Sequence, residues 1–376
     1  MNQTSSGLVS IVVNNYNYAR YLPEAIDSAL AQTHEHTEVI VVDDGSTDNS
    51  RDIIGRYGDR IIPVLKENGG QASAFNAGFA TSRGVLIIFL DSDDVLFPHI
   101  ARKVAEVFHG RPDAGSICYR LAIADASGRL TGRLEPPSFK QLPHGDLRRR
   151  VLNECDSVRW TATTGNAFAA GALKRVFPLH EKDIRGCADY YVQRATALVA
   201  PVVALEEVGG CYRIHGANSF YSSAELDQNS RQKIWSMTRV CDAYAHLVDV
   251  AVASGVLDAA HALPNPLTQP DVVFLAKRMI SAKLDARHHP FKQDTVWQLG
   301  WRGAWASLQS GATSLPTKFA HMAWFVAMVP APRPMAEWLA QEFFHLRVSA
   351  RVRKLVAGLR LRRKGAAETS DRRLAL

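Results

Sequence analysis

Four short β-branched apolar runs, Leu8–Val13, Glu38–Asp43, Ile61–Leu65 and Val85–Leu90, each end in a polar, turn-forming segment, and this recurrence constrains the fold more than any other feature of the chain. Between them lie stretches with helical spacing, such as Leu22, Ile26, Ala29 and Leu30. Strands alternating with helices predict an α/β fold whose mostly parallel sheet carries helices on both faces. In such sheets ligands bind beyond the carboxyl ends of the strands. The segments at those ends read Asn14-Asn15-Tyr16-Asn17, Asp43-Asp44-Gly45-Ser46, Asn68-Gly69-Gly70-Gln71 and Asp91-Ser92-Asp93-Asp94.

A chain of 376 residues suits two structural units, since single domains usually run to roughly 100–200 residues. From about Ser116 to Asn218 the chain has Pro136-Pro137, Pro143 and strand-like pieces around Trp160–Phe168 and Val202–Tyr212, which read as a second half of the first domain. Beyond about Tyr221 the pattern turns helical. Trp235, Trp297, Trp301, Trp305, Trp324 and Trp338 supply bulk there, and most are expected to pack between helices.

The net charge of +7 is concentrated at one end. Residues 347–376 hold ten Lys/Arg against Glu368 and Asp371, which accounts for the whole excess and leaves the body near neutral. A basic nucleic-acid face is therefore not expected. Cys118, Cys155, Cys187, Cys211 and Cys241 are scattered, without a CxxC pair, and read as reduced cysteines of a cytoplasmic protein. The N-terminus lacks a basic stretch and a long apolar run, so no signal peptide is expected. Phe319 to Val329, the most apolar late stretch, falls short of the ~20 residues a membrane-spanning helix needs.

Asp91-Ser92-Asp93-Asp94 follows the apolar strand VLIIFL, so its carboxylates emerge together at the sheet edge. Crowded carboxylates repel unless a positive charge sits among them. A hard divalent cation, Mn²⁺ or Mg²⁺, held by carboxylate and diphosphate oxygens relieves that repulsion and neutralises a leaving group. The plain alternative is an Asp-rich turn capping the helix near Pro98. Asp43-Asp44-Gly45-Ser46-Thr47-Asp48 also ends a strand; Asp48 or Ser46 suits a helix cap, which explains one acid and not three. A strand-end carboxylate can accept a nucleobase N–H, and Tyr16 offers a face for stacking.

These segments, in this order, resemble glycosyltransferase family 2, whose members have the GT-A fold, a Rossmann-like α/β sheet, and invert the anomeric centre. The resemblance rests on SIVVNNYN, EVIVVDDGSTD, NGGQASAFNAGFATSRG and the strand ending in DSDD, then more weakly on Gly165-Asn166-Ala167-Phe168, Ala188-Asp189 and Tyr212-Arg213-Ile214-His215. It covers residues 8 to 218. It implies a GT-A domain over 1–220, with a nucleotide-sugar-binding half (1–110) and an acceptor-facing half (111–220), then a helical region (221–345) and a basic tail (346–376). By the same resemblance Tyr16 and Asp44 hold the base, and Asn15, Asp43, Gly70 and Ser92 complete the nucleotide-binding set. Asp91 and Asp93 handle ribose, metal and diphosphate, with Asp94 adjacent and His215 closing the metal end. Asp189 falls at the catalytic base, while Arg213, Trp160 and Asn166 are further candidates.

Two departures stand out. Asn14 replaces a proline common in the opening motif, and Phe75 stands where many relatives carry an arginine able to clamp phosphate. Diphosphate charge then falls to the metal, to Arg213 or Lys66, or to backbone N–H groups near Gly69 and Gly70.

A sugar nucleotidyltransferase would need a glycine-rich, basic loop after the first strand, and a dehydrogenase would need GxGxxG there; NNYNYARY is neither. A non-catalytic nucleotide-sugar-binding protein would not need Asp91, Asp93 and Asp189 together. The expected partners are a nucleotide-sugar donor, by family habit a UDP-sugar, and a glycan or lipid-linked glycan acceptor of envelope or exopolysaccharide synthesis. Val348, Val352, Leu355, Val356 and Leu359 line one helical face of the tail, amid eight Lys/Arg and with no acid among residues 343–367. That pattern suits peripheral attachment to an anionic membrane on the cytoplasmic side; a solvated or oligomer-forming helix is the alternative.

Overall fold

A computed structural model describes residues 7–345, apart from 154–157, 159, 185–186, 217, 219–242, 244–245, 248, 257–271, 288, 290 and 310–314. The basic tail, Trp235, Cys155 and Cys241 lie outside the described residues. The chain divides into two compact units, Met1–Gln269 and Pro270–Leu376.

Among its described residues the first unit is built on nine strands: β1 (Val9–Asn15), β2 (Thr37–Asp44), β3 (Ile62–Lys66), β4 (Leu86–Asp91), β5 (Val95–Leu96), β6 (Ser116–Ala124), β7 (Leu130–Glu135), β8 (Asn166–Ala169) and β9 (Val202–Arg213). They form one sheet in the order β3-β2-β1-β4-β8-β6-β9-β5, with β7 on β6. β1, β2, β3 and β4 pair in parallel, as the apolar runs require. Helices α1 (Leu22–Leu30), α2 (Ser50–Gly55), α3 (Gln71–Thr81), α4 (Ile100–Gly110), α5 (Arg148–Asn153), α6 (Ala170–Leu173) and α7 (Ala188–Val199) complete the unit.

Burial follows the apolar pattern. Leu22, Ala25, Ile26 and Ala29 on α1 and Ile100, Ala101 and Val104 on α4 pack with Val9, Ile11, Val13, Ile88 and Leu90 of the sheet. On the other face α3 lies close to β1, because Gly78 has no side chain; a Cβ there would overlap Val12 Cγ1. Phe75 faces the sheet from α3, buried and stacked on Phe89 at 4.1 Å, so this position serves the core rather than a phosphate. Cys118, Cys187 and Cys211 are buried, and no disulfide joins them.

β1 has neighbours on both sides, β2 and β4, and its end is the switch point where ligands bind in open α/β sheets. The pairing register sets Asn15 beside Asp43 and Asn14 beside Asp91. The rest of the site comes from β6, β8 and β9. β9 runs parallel to β6 and antiparallel to β5, which brings residue 213 back to the end of β4.

The second unit holds α8 (Val272–Leu284), α9 (Val296–Gln309), α10 (Leu315–Met328) and α11 (Arg333–His345). Here the expectation for the tryptophans fails. Of those described in this unit only Trp324 is buried, its Nε1 donating to the Leu339 carbonyl at 2.6 Å, whereas Trp297, Trp301, Trp305 and Trp338 are exposed. The inner face of α9 is taken by Leu299, Gly300, Gly303, Ala306 and Ser307, and a Cβ on Gly303 would overlap the Phe325 ring of α10. Helices so close leave no room for indoles between them, and the rings fall outside.

Candidate active site

The loop after β1 is shaped by Asn17, the one non-glycine residue among those described with positive φ, at 59°. Its carbonyl oxygen Oδ1 accepts the Thr47 N–H at 2.7 Å, tying the ends of β1 and β2 together. Asn15 donates to Asp43 Oδ1 at 3.0 Å and to Ser46 Oγ at 3.1 Å. Burial would raise the Asp43 carboxyl, but hydrogen bonds from Arg51, Ser46 and Asn15 outweigh it and hold Asp43 below the usual carboxylate range. Asp48 accepts from the N–H of Ser50 in α2 at 3.0 Å and from the Ala19 N–H at 3.0 Å, so it braces this corner. Tyr16 stands exposed beside it, its ring free to stack.

Asp44 moors the neighbouring loop in this structure. Its carboxylate accepts from Lys66 Nζ at 2.7 Å, Asn68 Nδ2 at 3.2 Å, the Gly69 N–H at 3.0 Å and the Gly70 N–H at 2.6 Å. Four donors occupy its two oxygens and moor the Asn68-Gly69-Gly70 loop ahead of α3. Gly70 takes φ 88°, a left-handed value that suits glycine. Lys66 is spent on Asp44 and on the Glu67 carbonyl at 2.6 Å.

At the end of β4 the acids divide their labour. Asp94 is fully buried; it accepts the Thr164 hydroxyl at 2.6 Å and the Arg213 N–H at 3.0 Å. Arg213 is also buried: its Nε donates to the Asp93 carbonyl at 3.0 Å and Nη2 pairs with Glu24. It is therefore a fastener between β4, β9 and α1, not the diphosphate cation considered from sequence. Asn166 is likewise structural, its Nδ2 donating to the Ala162 and Thr163 carbonyls at 2.9 and 3.3 Å. Ser92 is buried, its N–H donating to the Asn14 carbonyl at 3.2 Å.

Asp93 Oδ2 lies 2.9 Å from His215 Nε2 and 3.3 Å from Asn218 Nδ2, so two residues paired from the sequence meet. The His215 ring is stacked on Tyr21 at 4.8 Å, which fixes its plane. Burial, then repulsion from Asp93 and Asp189, pushes Asp91 well above the usual carboxylate range. Burial, then Asp93 and Asp91, does the same to Asp94. Asp189, in the first turn of α7, is raised by burial despite the Tyr190 N–H, Arg194 and the Thr163 hydroxyl. Among the described residues Asp189 Oδ1 is shut from solvent without a hydrogen-bond partner.

Sequence reading missed Tyr18, Tyr212, Thr163 and Thr164. The hydroxyls of Tyr18 and Tyr212 are raised by burial first and then by the neighbouring acids, Asp93 and Asp91 leading for Tyr18, Asp94 and Asp91 for Tyr212. Single tyrosines and threonines carry no signal of their own; only the fold makes them neighbours. Trp160 is buried with Nε1 unpartnered among the described residues, 5.7 Å below the Arg194 guanidinium.

A carboxylate and imidazole set with mutual repulsion and an orphaned oxygen suits a hard divalent cation. Asp91, Asp93 and His215 are the residues that would hold such an ion. Their ligand atoms do not close into a three-point cage; the tightest group of three among the described residues lies elsewhere, at His180, Asp183 and His246.

The model of the family described as glycosyl transferase family 2 matches residues 10–174. An uncharacterized glycosyltransferase of Nostoc sp. strain PCC 7120 is 38% identical over 229 residues, covering 60% of this chain and 70% of its own. The chain belongs to glycosyl transferase family 2. The putative teichuronic acid biosynthesis glycosyltransferase TuaG of Bacillus subtilis is 43% identical to this transferase over 155 residues, 40% of this chain and 61% of TuaG. Among solved structures, S. aureus TarS 1–349 in complex with UDP superposes with a TM-score of 0.50 over 90% of this chain and 88% of that one, at 16% identity. That likeness shows the fold: this family 2 transferase has the GT-A architecture, with a helical region after it.

Proposed function

We propose that this transferase is metal-dependent and inverting, moving a sugar from a nucleotide-sugar, a UDP-sugar by family habit, to a hydroxyl of a cell-envelope or exopolysaccharide glycan. The observation that carries this is the 2.9 Å pair of Asp93 and His215 beside Asp91 and Asp189: Asp91, at the end of β4, lies near enough to Asp189, at the start of α7, for their carboxyls to repel. One acid belongs to the donor half and the other to the acceptor half.

The donor base stacks on Tyr16 and meets Asn15 and Asp43 at the β1–β2 corner, with Ser92 and the loop at Gly70 flanking it. Asp44 supports that loop rather than the base. A divalent cation on Asp91, Asp93 and His215, Mn²⁺ or Mg²⁺, supplies charge neutralisation for the departing diphosphate. Asp189 takes the acceptor hydroxyl's proton as the new bond to the anomeric carbon forms and the bond to the nucleotide breaks on the opposite face. Its upward shift brings it nearer to neutral pH, which favours proton acceptance.

The reading is tested with a panel of UDP-, GDP- and dTDP-sugars and Mn²⁺ or Mg²⁺, scored by melting temperature. A donor at 100 times its Kd should add about 2.7 kcal/mol of stability, and only with metal present. No stabilisation by any nucleotide-sugar would overturn the donor assignment.

Envelope synthesis is supported by the printed role of TuaG, and attachment to an anionic membrane by two further features. No helix among the described residues is long and apolar enough to cross a bilayer. Trp297, Trp301 and Trp305 fall four residues apart along the outer face of α9, and no acid occurs from residue 295 to 336. Tryptophan favours the membrane–water boundary, and the basic tail adds charge attraction. Eight tail cations at roughly 1 kcal/mol each predict that truncation after Phe344 lowers co-sedimentation with anionic vesicles by at least ~10²-fold. Unchanged co-sedimentation would remove the tail from membrane binding.

A further inference from the structure

We propose that His180, Asp183 and His246 form a second metal site, for a transition cation of the Zn²⁺ class, that staples the segment entering α7 to the helical residues around 246–253. It stands independently of the sugar-transfer reading. One imidazole nitrogen from each histidine and one Asp183 oxygen all lie within 4.8 Å of one another. His246 Nε2 is 2.9 Å from Asp183 Oδ2, and the two imidazole rings are stacked at 4.0 Å with 11° between their planes.

The sequence repeats one spacing at both contributors. His180 and Asp183 are three residues apart in a turn closed by Asp183 N–H and Ile184 N–H to the His180 carbonyl, at 3.2 and 3.0 Å. His246 and Asp249 are three apart along one helical face, with Asp249 Oδ2 3.8 Å from His246 Nδ1. Each pair offers one imidazole and one carboxylate to the same side. Asp183 and His246 are 63 residues apart in the chain, so a shared ion would cross-link distant segments. His246 Nδ1 is shut from solvent and has no hydrogen-bond partner among the described residues.

Two imidazoles and carboxylate oxygen are ligands of Zn²⁺, Co²⁺ and Ni²⁺ rather than of Mg²⁺. Bond lengths of about 2.0–2.2 Å would set the three atoms roughly 3–3.6 Å apart, so the spacings that now reach up to 4.8 Å would close by about 1 Å and the stacked rings would rotate to aim their in-plane lone pairs at one ion. His180 and Asp183 are exposed on a turn, where such an adjustment meets little packing. The turn is anchored upstream by Asn76, which accepts the Leu179 N–H at 2.8 Å and donates to its carbonyl at 3.1 Å. Downstream, Ile184 and Cys187 are fully buried, and α7 with Asp189 begins at once. Asp249 also lies near enough to help raise the Tyr191 hydroxyl on α7. Occupancy would thus fix the path of the chain into the helix that bears Asp189.

The test titrates the chelator-treated full chain with ZnCl₂ by calorimetry, and with Co²⁺ by visible absorption. One Zn²⁺ equivalent should persist in Asp93→Asn, and Mg²⁺ in excess should not displace it. His180→Ala and His246→Ala should each weaken Zn²⁺ binding by at least ~10–100-fold, with Co²⁺ losing its visible bands. His180→Ala lies on an exposed turn and decides the matter if His246→Ala fails to fold. Zn²⁺ affinity unchanged in His180→Ala, or lost in Asp93→Asn, would overturn the proposal and leave an ordinary histidine–aspartate contact.

Discussion

Asp189→Asn is expected to lower turnover by roughly 10²–10⁴-fold while donor affinity stays nearly unchanged, because an amide keeps the shape of the carboxylate but cannot accept a proton. Helix capping is the competing role, and the structure weakens it. The N-cap of α7 is Cys187, without a side-chain cap bond, and Asp189 sits inside the first turn. Its contribution there is a charge–dipole term of about 0.3–1 kcal/mol. Against that stands the repulsion it exerts on Asp91, which a neutral amide would remove. Melting temperature should therefore change little. Turnover, donor binding and melting measured on that one variant separate the two roles, and near-normal turnover would take Asp189 out of the mechanism.

Chelation is expected to abolish transfer, and added Mn²⁺ or Mg²⁺ to restore it. Neutralising a departing diphosphate is worth several kcal/mol in the transition state, so roughly 10²–10⁴-fold in rate is at stake. Asp93→Ala should be at least as damaging as metal removal and should not be rescued by excess metal, because it strips a ligand and also releases His215 and Asn218. Full activity in excess chelator would exclude the metal from the reaction.

The first four strands were legible because each apolar run ends in residues that can only be a turn, and parallel pairing then follows from the helices between them. The partners of β6 were not. Its pairing with β9 spans nearly ninety residues, and no local pattern specifies a neighbour so far along the chain. The same distance hid the work of Arg213. From sequence it is one more cation near a diphosphate site, yet Glu24, 189 positions earlier, and the Asp93 carbonyl claim it. Asp43 and Asp44 are adjacent and alike in sequence. Only the fold shows Asp44 filled by the Gly69 and Gly70 N–H groups while Asp43 faces the β1 loop. The tryptophans were misread for a reason that was visible: Gly300 and Gly303 on α9 mark a close helix contact, and bulk was weighed where smallness decides.

Asp94 belongs to a motif confined to the first hundred residues, but both of its partners come later: Thr164 and, 119 positions downstream, Arg213. A chain emerging from the ribosome at roughly 5–20 residues per second has its β1–β4 strands available well before the fastener for this buried acid exists. The first hundred or so residues are thus not a portable cassette. Transplanted alone onto another scaffold, they would carry the acids of the donor site and leave behind what holds them in place.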